Sequence, residues 1–362
     1  MSESIRLPAE ELYRSELEAL YASDTGTRPR GWRLSPRAVL TYIVGGEARG
    51  VAVTPKYIGH TRLVEIAVAT LMTDRALLLL GEPGTAKTWL SEHLAAAICG
   101  DSTLTVQGTL GVSEDMIKYG WNYASLIASG PSPEALVKTP VYRAMEEGRV
   151  ARFEELTRCA PEIQDALISL LSEKCIAIPE LSAELRAKRG FGLIATANTR
   201  DRGVNDMSAA LRRRFNVVRL PAPETPETEM EIVTLRVAQL KAQLDLPGAL
   251  PDRGMVAKVV QILRELREGR TLDGKETLKP RVGGSRTGGS AAESISLLTG
   301  AMAHAAGFGD GHVTDAHIAA GLTETVVKDP ETDGPVWQEY LENVVRKREG
   351  WGELYCQLTM ES

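Results

Sequence analysis

The chain has little cysteine: Cys99, Cys159, Cys175 and Cys356 are scattered and form no C-x-x-C pair. Such spacing suits reduced thiols better than a zinc or disulfide framework. Long apolar runs are also missing. The unbroken ones, such as Ala76–Leu80 and Leu94–Cys99, fall far short of the ~20 residues a membrane helix needs. The opening MSESIRLPAEEL is acidic and has no apolar core, so it does not read as a signal peptide, and the expected compartment is the cytoplasm. Positive charge is not in excess. A net charge of −6 argues against nucleic-acid binding by bulk charge, although a local basic patch stays open. No Ser/His/Asp or Cys/His constellation stands out. His312 and His317 have a helix start, Thr314-Asp315, between them, which does not suit a shared metal. There is no internal repeat.

What is present is a change of pattern along 362 residues, a length comfortable for two domains. Pro8, Glu10 and Glu11 open an amphipathic helix whose face carries Tyr13, Leu17, Leu20 and Tyr21. Ser35-Pro36 starts a second short helix, and GGEARG (Gly45–Gly50) breaks it. From about Val53 to Pro221, short apolar strands alternate with helical stretches: Ala76–Leu80, Thr103–Gln107, Val150–Phe153, Phe191–Ala197 and Val217–Leu220. That alternation predicts an α/β fold, a parallel sheet wrapped by helices. Beyond Pro221 the strands stop, and Glu227–Leu244, Met255–Arg267, Ala291–Ala306 and Thr314–Val326 read as helices of a second, all-helical domain. RVGGSRTGGS (Arg281–Ser290) is flexible by composition. Trp337, Tyr340, Leu341, Val344 and Val345 then recur at helical spacing, and Gly350 ends that run.

The segment LLLLGEPGTAKTWL (Leu77–Leu90) runs from a buried strand through a Gly-rich turn into a helix. Gly81, Glu82, Pro83, Gly84, Thr85, Ala86, Lys87 and Thr88 follow the spacing of a phosphate-binding loop, with Trp89 just beyond. Strand, loop and helix in that order aim backbone N–H groups and the helix dipole at a phosphate. Lys87 would reach the outer phosphates, and the Thr88 hydroxyl would ligate Mg²⁺. Ala86 stands where glycine is usual. Placed in the first helical turn it needs only a negative φ, and that is the expectation. A chance turn between strand and helix is the plain alternative.

Binding alone is not cleavage. RVARFEEL (Arg149–Leu156) ends in Glu154 and Glu155. One carboxylate at a strand tip would hold the metal shell and the next would polarise the attacking water. The same pair would also suit an ordinary acidic helix start. Arg152 is an unusual residue inside such a strand. FGLIATANTRDR brings a strand to Asn198, an amide able to orient water or to form a turn. SAALRRRFNVV sets Arg212, Arg213 and Arg214 ahead of a strand, either as a guanidinium offered to a neighbour's phosphate or as a basic surface turn. In KYGWNYASLIASGPSPEAL (Lys118–Leu136), Tyr119, Trp121 and Tyr123 alternate, as on one face of a strand. Packing is the commoner use of such a stripe; gripping a substrate is the other.

These pieces, in this order, resemble the AAA+ ATPases and most closely the MoxR family, over roughly residues 53–325. GEPGTAKT, EELTRCAPEIQDALISLLSE, ATANTRD and ALRRRF carry the likeness. The resemblance implies a five-stranded sheet of order 5-1-4-3-2 followed by a helical lid. It divides the chain into an N-terminal helical extension (1–52), an α/β nucleotide domain (53–222, with an insertion in helix 2 at about 112–139), a helical lid (223–330) and a helical tail (331–362). It implies ATP and Mg²⁺ as cofactors, with Gly81–Thr88 as the Walker A loop and Thr88 and Glu154 at the metal. Glu155 becomes the catalytic carboxylate of the Walker B pair, the one that polarises the attacking water, and Asn198 becomes sensor 1. Arg213 or Arg214 becomes the finger that acts in trans, and Ile58-Gly59 lies where adenine is contacted. A hexameric homo-oligomeric ring, a remodelling or chaperone role, and a client carrying a von Willebrand factor A domain are implied in the same way. Two features depart from the family pattern. Glu154 replaces the usual Asp, and GGSAAES (Gly288–Ser294) lacks the sensor 2 arginine, with Arg281 and Arg286 off its spacing. Both keep open a slow or non-hydrolysing ATP switch. A DNA-directed motor is a further alternative that the acidic charge disfavours.

Overall fold

Alternate residues of the strand Ala76–Gly81 serve two different cores. Leu77 and Leu79 belong to one buried cluster, Ala76 and Leu78 to another. Side chains of successive strand residues point to opposite faces, so this strand lies in a sheet covered on both sides. That is why it is apolar without interruption. Leu77 and Leu79 are fully buried, and each contributes about 1.5–3 kcal/mol of burial.

The computed structural model describes residues 4–199, 207–274, 276–278 and 289–360. Its central sheet has five parallel strands: β1 (Ala76–Gly81), β2 (Thr105–Gln107), β3 (Val150–Glu154), β4 (Gly192–Asn198) and β5 (Phe215–Leu220). Their order is 5-1-4-3-2, as expected. The register sets Asn198 and Leu220 opposite Gly81, Ala195 opposite Phe153, and Gln107 opposite Glu154. The strand ends that carry the sequence motifs therefore meet along one edge. Helices Thr61–Leu71 and Lys87–Cys99 supply the core on one face; Pro140–Glu147 and Pro161–Glu173 supply it on the other.

The opening helix is two pieces, Ala9–Leu12 and Arg14–Ser23, broken at Tyr13. The Tyr13 ring packs edge-on against Tyr42 and His93, and that packing overrides the continuous helix read from the pattern. Tyr13 and Leu20 are buried, but Tyr21 is exposed with Arg28 over its ring. Gly45 ends the helix Pro36–Val44. The rest of that glycine-rich stretch starts a hairpin, Gly46–Ala48 against Val51–Val53. Arg49 and Gly50 both take positive φ at its turn, the geometry of a type I′ hairpin.

Within the insertion, Tyr119–Trp121 pairs antiparallel with Leu136–Lys138, and the Tyr119 and Trp121 rings meet edge to face at 5.9 Å. Tyr123 is not on that strand. Asn122 caps a helix, Tyr123–Ser129, by accepting from the Ser125 N–H, and Tyr123 is 68% exposed at its first position. A second hairpin, Cys175–Ile178 with Ala183–Arg186, follows the helix Pro161–Glu173.

The chain falls into two compact units that divide between Pro221 and Ala222, with Pro83–Thr85 falling with the second. The second unit holds helices Pro226–Gln243, Arg253–Glu268, Ala291–Phe308, Asp315–Val326, Gly334–Asn343 and Gly352–Met360. Thr225, Asp252 and Ser290 cap the first three, Ser290 in a capping box with Glu293. All six share one core, in which Val233, Ile262, Leu298 and Leu322 lie with Trp337, Tyr340 and Leu354. Buried Glu265 accepts from Tyr340 Oη and Arg348 Nη2, both at 2.6 Å.

Candidate active site

The loop after β1 turns through Gly84, at φ 79°. Ala86 does not sit in the helix. It is the N-cap residue, at φ 62° and ψ 23°, and the helix begins at Lys87. The expected negative φ is thus corrected: one residue of displacement of the helix start moves Ala86 from the right-handed to the left-handed region. Glycine takes that conformation without penalty, while an L-residue pays about 1–2 kcal/mol. Lys87 is 8% exposed, and its Nζ donates to the carbonyls of Gly81 (3.2 Å) and Glu82 (2.7 Å). The positive end of the helix Lys87–Cys99 faces the same loop.

Glu154 ends β3 and is 2% exposed. Its Oε2 accepts from Thr88 Oγ1 at 2.9 Å and from Thr196 Oγ1 at 2.7 Å. Its Oε1 accepts from Ser91 Oγ and, at 2.8 Å, from Arg152 Nη2. The phosphate loop and the acidic strand end are therefore joined directly, through the hydroxyl proposed as a metal ligand. Thr196 carries the link further by accepting from the Glu155 N–H at 2.9 Å. Glu155 is itself left-handed, at φ 54° and ψ 43°, and its carboxylate pairs with Arg158 Nε at 2.7 Å. A non-glycine residue in that region costs of order 1–3 kcal/mol, and such strain clusters at functional sites. Gly108 passes over this peptide. Its N–H donates to the Glu154 carbonyl at 2.7 Å, and a Cβ there would collide with the Glu155 carbonyl.

Asn198, the last residue of β4, is paired with Gly81, and the next residue, Thr199, donates its N–H to the Gly81 carbonyl. Gly81, Lys87, Thr88, Glu154, Glu155 and Asn198 thus share one end of the sheet. Arg213 and Arg214 do not. They precede Phe215, which is opposite Ala76 at the other end of β1. Arg214 is bound to its own chain, donating from Nε to Ser172 Oγ and from Nη1 to the Ala210 carbonyl, both at 3.0 Å. Arg213 is exposed. The Trp89 indole packs on His93, with ring centroids 4.2 Å apart, and on Tyr13 at 6.5 Å. Ile58 is half-buried and Gly59 exposed just ahead of the helix Thr61–Leu71. Arg281 and Arg286 lie outside the described residues, and Ser290 and Glu293 cap the helix that follows them.

The donor set fits Mg²⁺ carried on a nucleotide. One hydroxyl beside a carboxylate, with phosphates and waters completing the shell, is its usual environment. Among the described residues no group of three His, Cys, Asp or Glu side chains could hold a metal by itself. Burial pushes the Cys159 thiol, just past Glu155, above its ordinary range, so it is no thiolate nucleophile. Sequence reasoning missed Ser91, Thr196 and Gly108. The one trace of their network was Arg152, a charge in an apolar strand, which implies a buried partner.

A family model described as AAA domain (dynein-related subfamily) matches residues 76–215. The uncharacterized protein YehL of Escherichia coli (strain K12) is 41% identical over 361 residues, covering 97% of this chain and 96% of that one. The uncharacterized protein YojN of Bacillus subtilis (strain 168) is 28% identical over 55% of this chain and 61% of its own. Among solved structures, NtrX from Brucella abortus in complex with ATP aligns with 75% of this chain and 56% of that one, at 13% identity and a TM-score of 0.48. Among the described residues, no helix is long and apolar enough to cross a membrane.

Proposed function

This chain belongs to the family of Escherichia coli YehL and carries a dynein-related AAA domain, and on that premise we propose that it is an ATPase that remodels a partner protein. The observation that carries this reading is the hydrogen-bonded path from Thr88 through Glu154 and Thr196 to Glu155. It ties the phosphate loop to the acidic end of β3. In the proposed reaction Lys87 and the loop amides hold the outer phosphates of ATP. Glu155 orients and deprotonates the attacking water, and Asn198 holds that water or the terminal phosphate from the adjoining strand. Mg²⁺, bound with the nucleotide beside the Thr88 hydroxyl that Glu154 orients, would supply charge neutralisation on the phosphates. A guanidinium from a neighbouring copy, Arg213 or Arg214, completes the site, which makes the active form a homo-oligomeric ring of the MoxR type. The client reading, including a von Willebrand factor A domain protein, rests on that resemblance alone.

The test is steady-state phosphate release beside binding of a fluorescent ATP analogue. Glu155→Gln is expected to keep nucleotide binding and to lose about 10²–10⁴-fold in turnover. Lys87→Ala should lose both. Glu155→Gln with ATP is then the variant in which to trap the client by pull-down. Turnover unaffected by Glu155→Gln would overturn the hydrolase reading. A second reading, a binding switch with slow or no hydrolysis, is favoured by one observation: the Glu154 carboxylate is already neutralised by Arg152. Tight ATP binding without turnover, with or without client, would select it. Strong DNA binding with a steep salt slope would instead revive a nucleic-acid motor.

A further inference from the structure

Arg152 is 6% exposed and makes five hydrogen bonds. Nε donates to Ser91 Oγ (3.1 Å). Nη1 donates to the Ser102 carbonyl (2.8 Å) and Thr105 Oγ1 (3.2 Å). Nη2 donates to the Thr88 carbonyl (3.2 Å) and Glu154 Oε1 (2.8 Å). A guanidinium has five N–H donors, so its capacity is used in full. It touches the first turn of the helix Lys87–Cys99, the start of β2 and the end of β3. The carboxylate opposite is equally full, with two donors on each oxygen.

A glutamate closed in this way has little to offer a cation directly. Its negative charge is cancelled at 2.8 Å by a buried positive one. What it does offer is an acceptor for the Thr88 hydroxyl hydrogen, which leaves the lone pairs of that oxygen directed elsewhere. The extra methylene of Glu154 over Asp gives it the length to meet Arg152 and Ser91 on one oxygen and Thr88 on the other. We propose that Arg152 is the built-in counter-charge of Glu154, so that the pair as a whole carries no net charge and its carboxylate positions the Thr88 hydroxyl instead of recruiting the divalent cation. The cation then enters on the charge of the nucleotide phosphates. This deepens the nucleotide-binding reading of the site and rests on it.

The experiment measures the Mg²⁺ concentration that half-saturates binding of a fluorescent ATP analogue, in the full chain. Removing Arg152 leaves the carboxylate on the hydroxyls of Ser91, Thr88 and Thr196, now with uncompensated charge. Arg152→Met is expected to lower the half-saturating Mg²⁺ by about tenfold or more. Arg152→Lys keeps the charge and should stay within about threefold of the unaltered chain. The double variant Arg152→Met/Glu154→Gln is neutral again and should also return to within about threefold, and it decides the matter alone if Arg152→Met fails to fold. A midpoint in Arg152→Met equal to or above that of the unaltered chain overturns the proposal. So does loss of cation dependence in the double variant, the behaviour of an acid that must carry charge. Failure of the unaltered chain to bind the analogue would strike the nucleotide reading instead.

Discussion

At Ala86 a single methyl group separates two accounts of the phosphate loop. An alanine in a helix is unstrained, and on that ground the residue looked harmless. At φ 62° it is the opposite: the loop holds an L-residue in a region where glycine is at home, and the cost falls on the folded state. Ala86→Gly is therefore expected to stabilise the protein by about 1 kcal/mol, net of glycine's extra freedom in the unfolded chain. For a chain of 362 residues that unfolds as one, this corresponds to a rise of about 1–2 °C in Tm. A melting curve without nucleotide checks it, and a fall in Tm would mean that the alanine is not left-handed. Glu155 has the same strain without the same remedy, because its side chain is the one the proposed chemistry needs. The two strained residues flank the two halves of the site, one at the loop and one at the strand end. Strain at one of them is removable; at the other it is coupled to function.

Elements place these residues, and the tightest placement lies where the end of β2 runs beside the end of β3. The chain leaves β2 at Gly108, whose N–H holds the Glu154 carbonyl while its missing side chain lets the Glu155 peptide sit directly above. Gly108→Ala should push that peptide away. We expect turnover to fall by about 10²-fold, since small misplacements of catalytic groups cost that much, with nucleotide affinity changed less than about threefold because the loop after β1 is untouched. Equal losses in binding and turnover would show a general collapse instead. Nothing near Gly108 in the sequence announces this contact, because its partners are more than forty residues away. The same reason hid Ser91 and Thr196, which meet Glu154 only once the strands are ordered. What could be read was local. The apolar run before Gly81 and the Lys-Thr pair after it specify strand, turn and helix within fourteen residues, Leu77–Leu90. The five-strand order followed from the likeness those motifs carry. Local reading failed where one residue changes role. Asn122 ends a strand by capping a helix, so the alternation of Tyr119, Trp121 and Tyr123 was not a strand face throughout. Arg49 occupies a turn position where Asn or Gly would have marked the hairpin.

For the whole molecule, the parallel register decides which arginine can act, and on which site. Phe215 is opposite Ala76, and Gly81 is five residues further along β1. At ~3.3 Å per residue, Phe215 starts about 16 Å from the loop of its own chain, and Arg213 lies two residues before it. Its carbonyl is held by the Arg75 guanidinium, which fixes the backbone there and leaves the exposed side chain to point outward. Arg214 is occupied with Ser172 and Ala210. If a guanidinium completes the site, it is Arg213, and it must come from another copy. Mixing separates this from every one-chain mechanism. Lys87→Ala cannot hold the nucleotide but still offers Arg213; Arg213→Ala holds the nucleotide but offers nothing. Each alone should be inactive. In an equal mixture that assembles at random, roughly one quarter of the interfaces join an intact loop to an intact finger, so phosphate release should return to roughly a quarter of the unaltered rate. A mixture that co-assembles on a sizing column yet stays inactive would rule out the lent arginine. Recovery of activity by Arg213→Ala alone would place the missing charge within the same chain, against the register of β1 and β5.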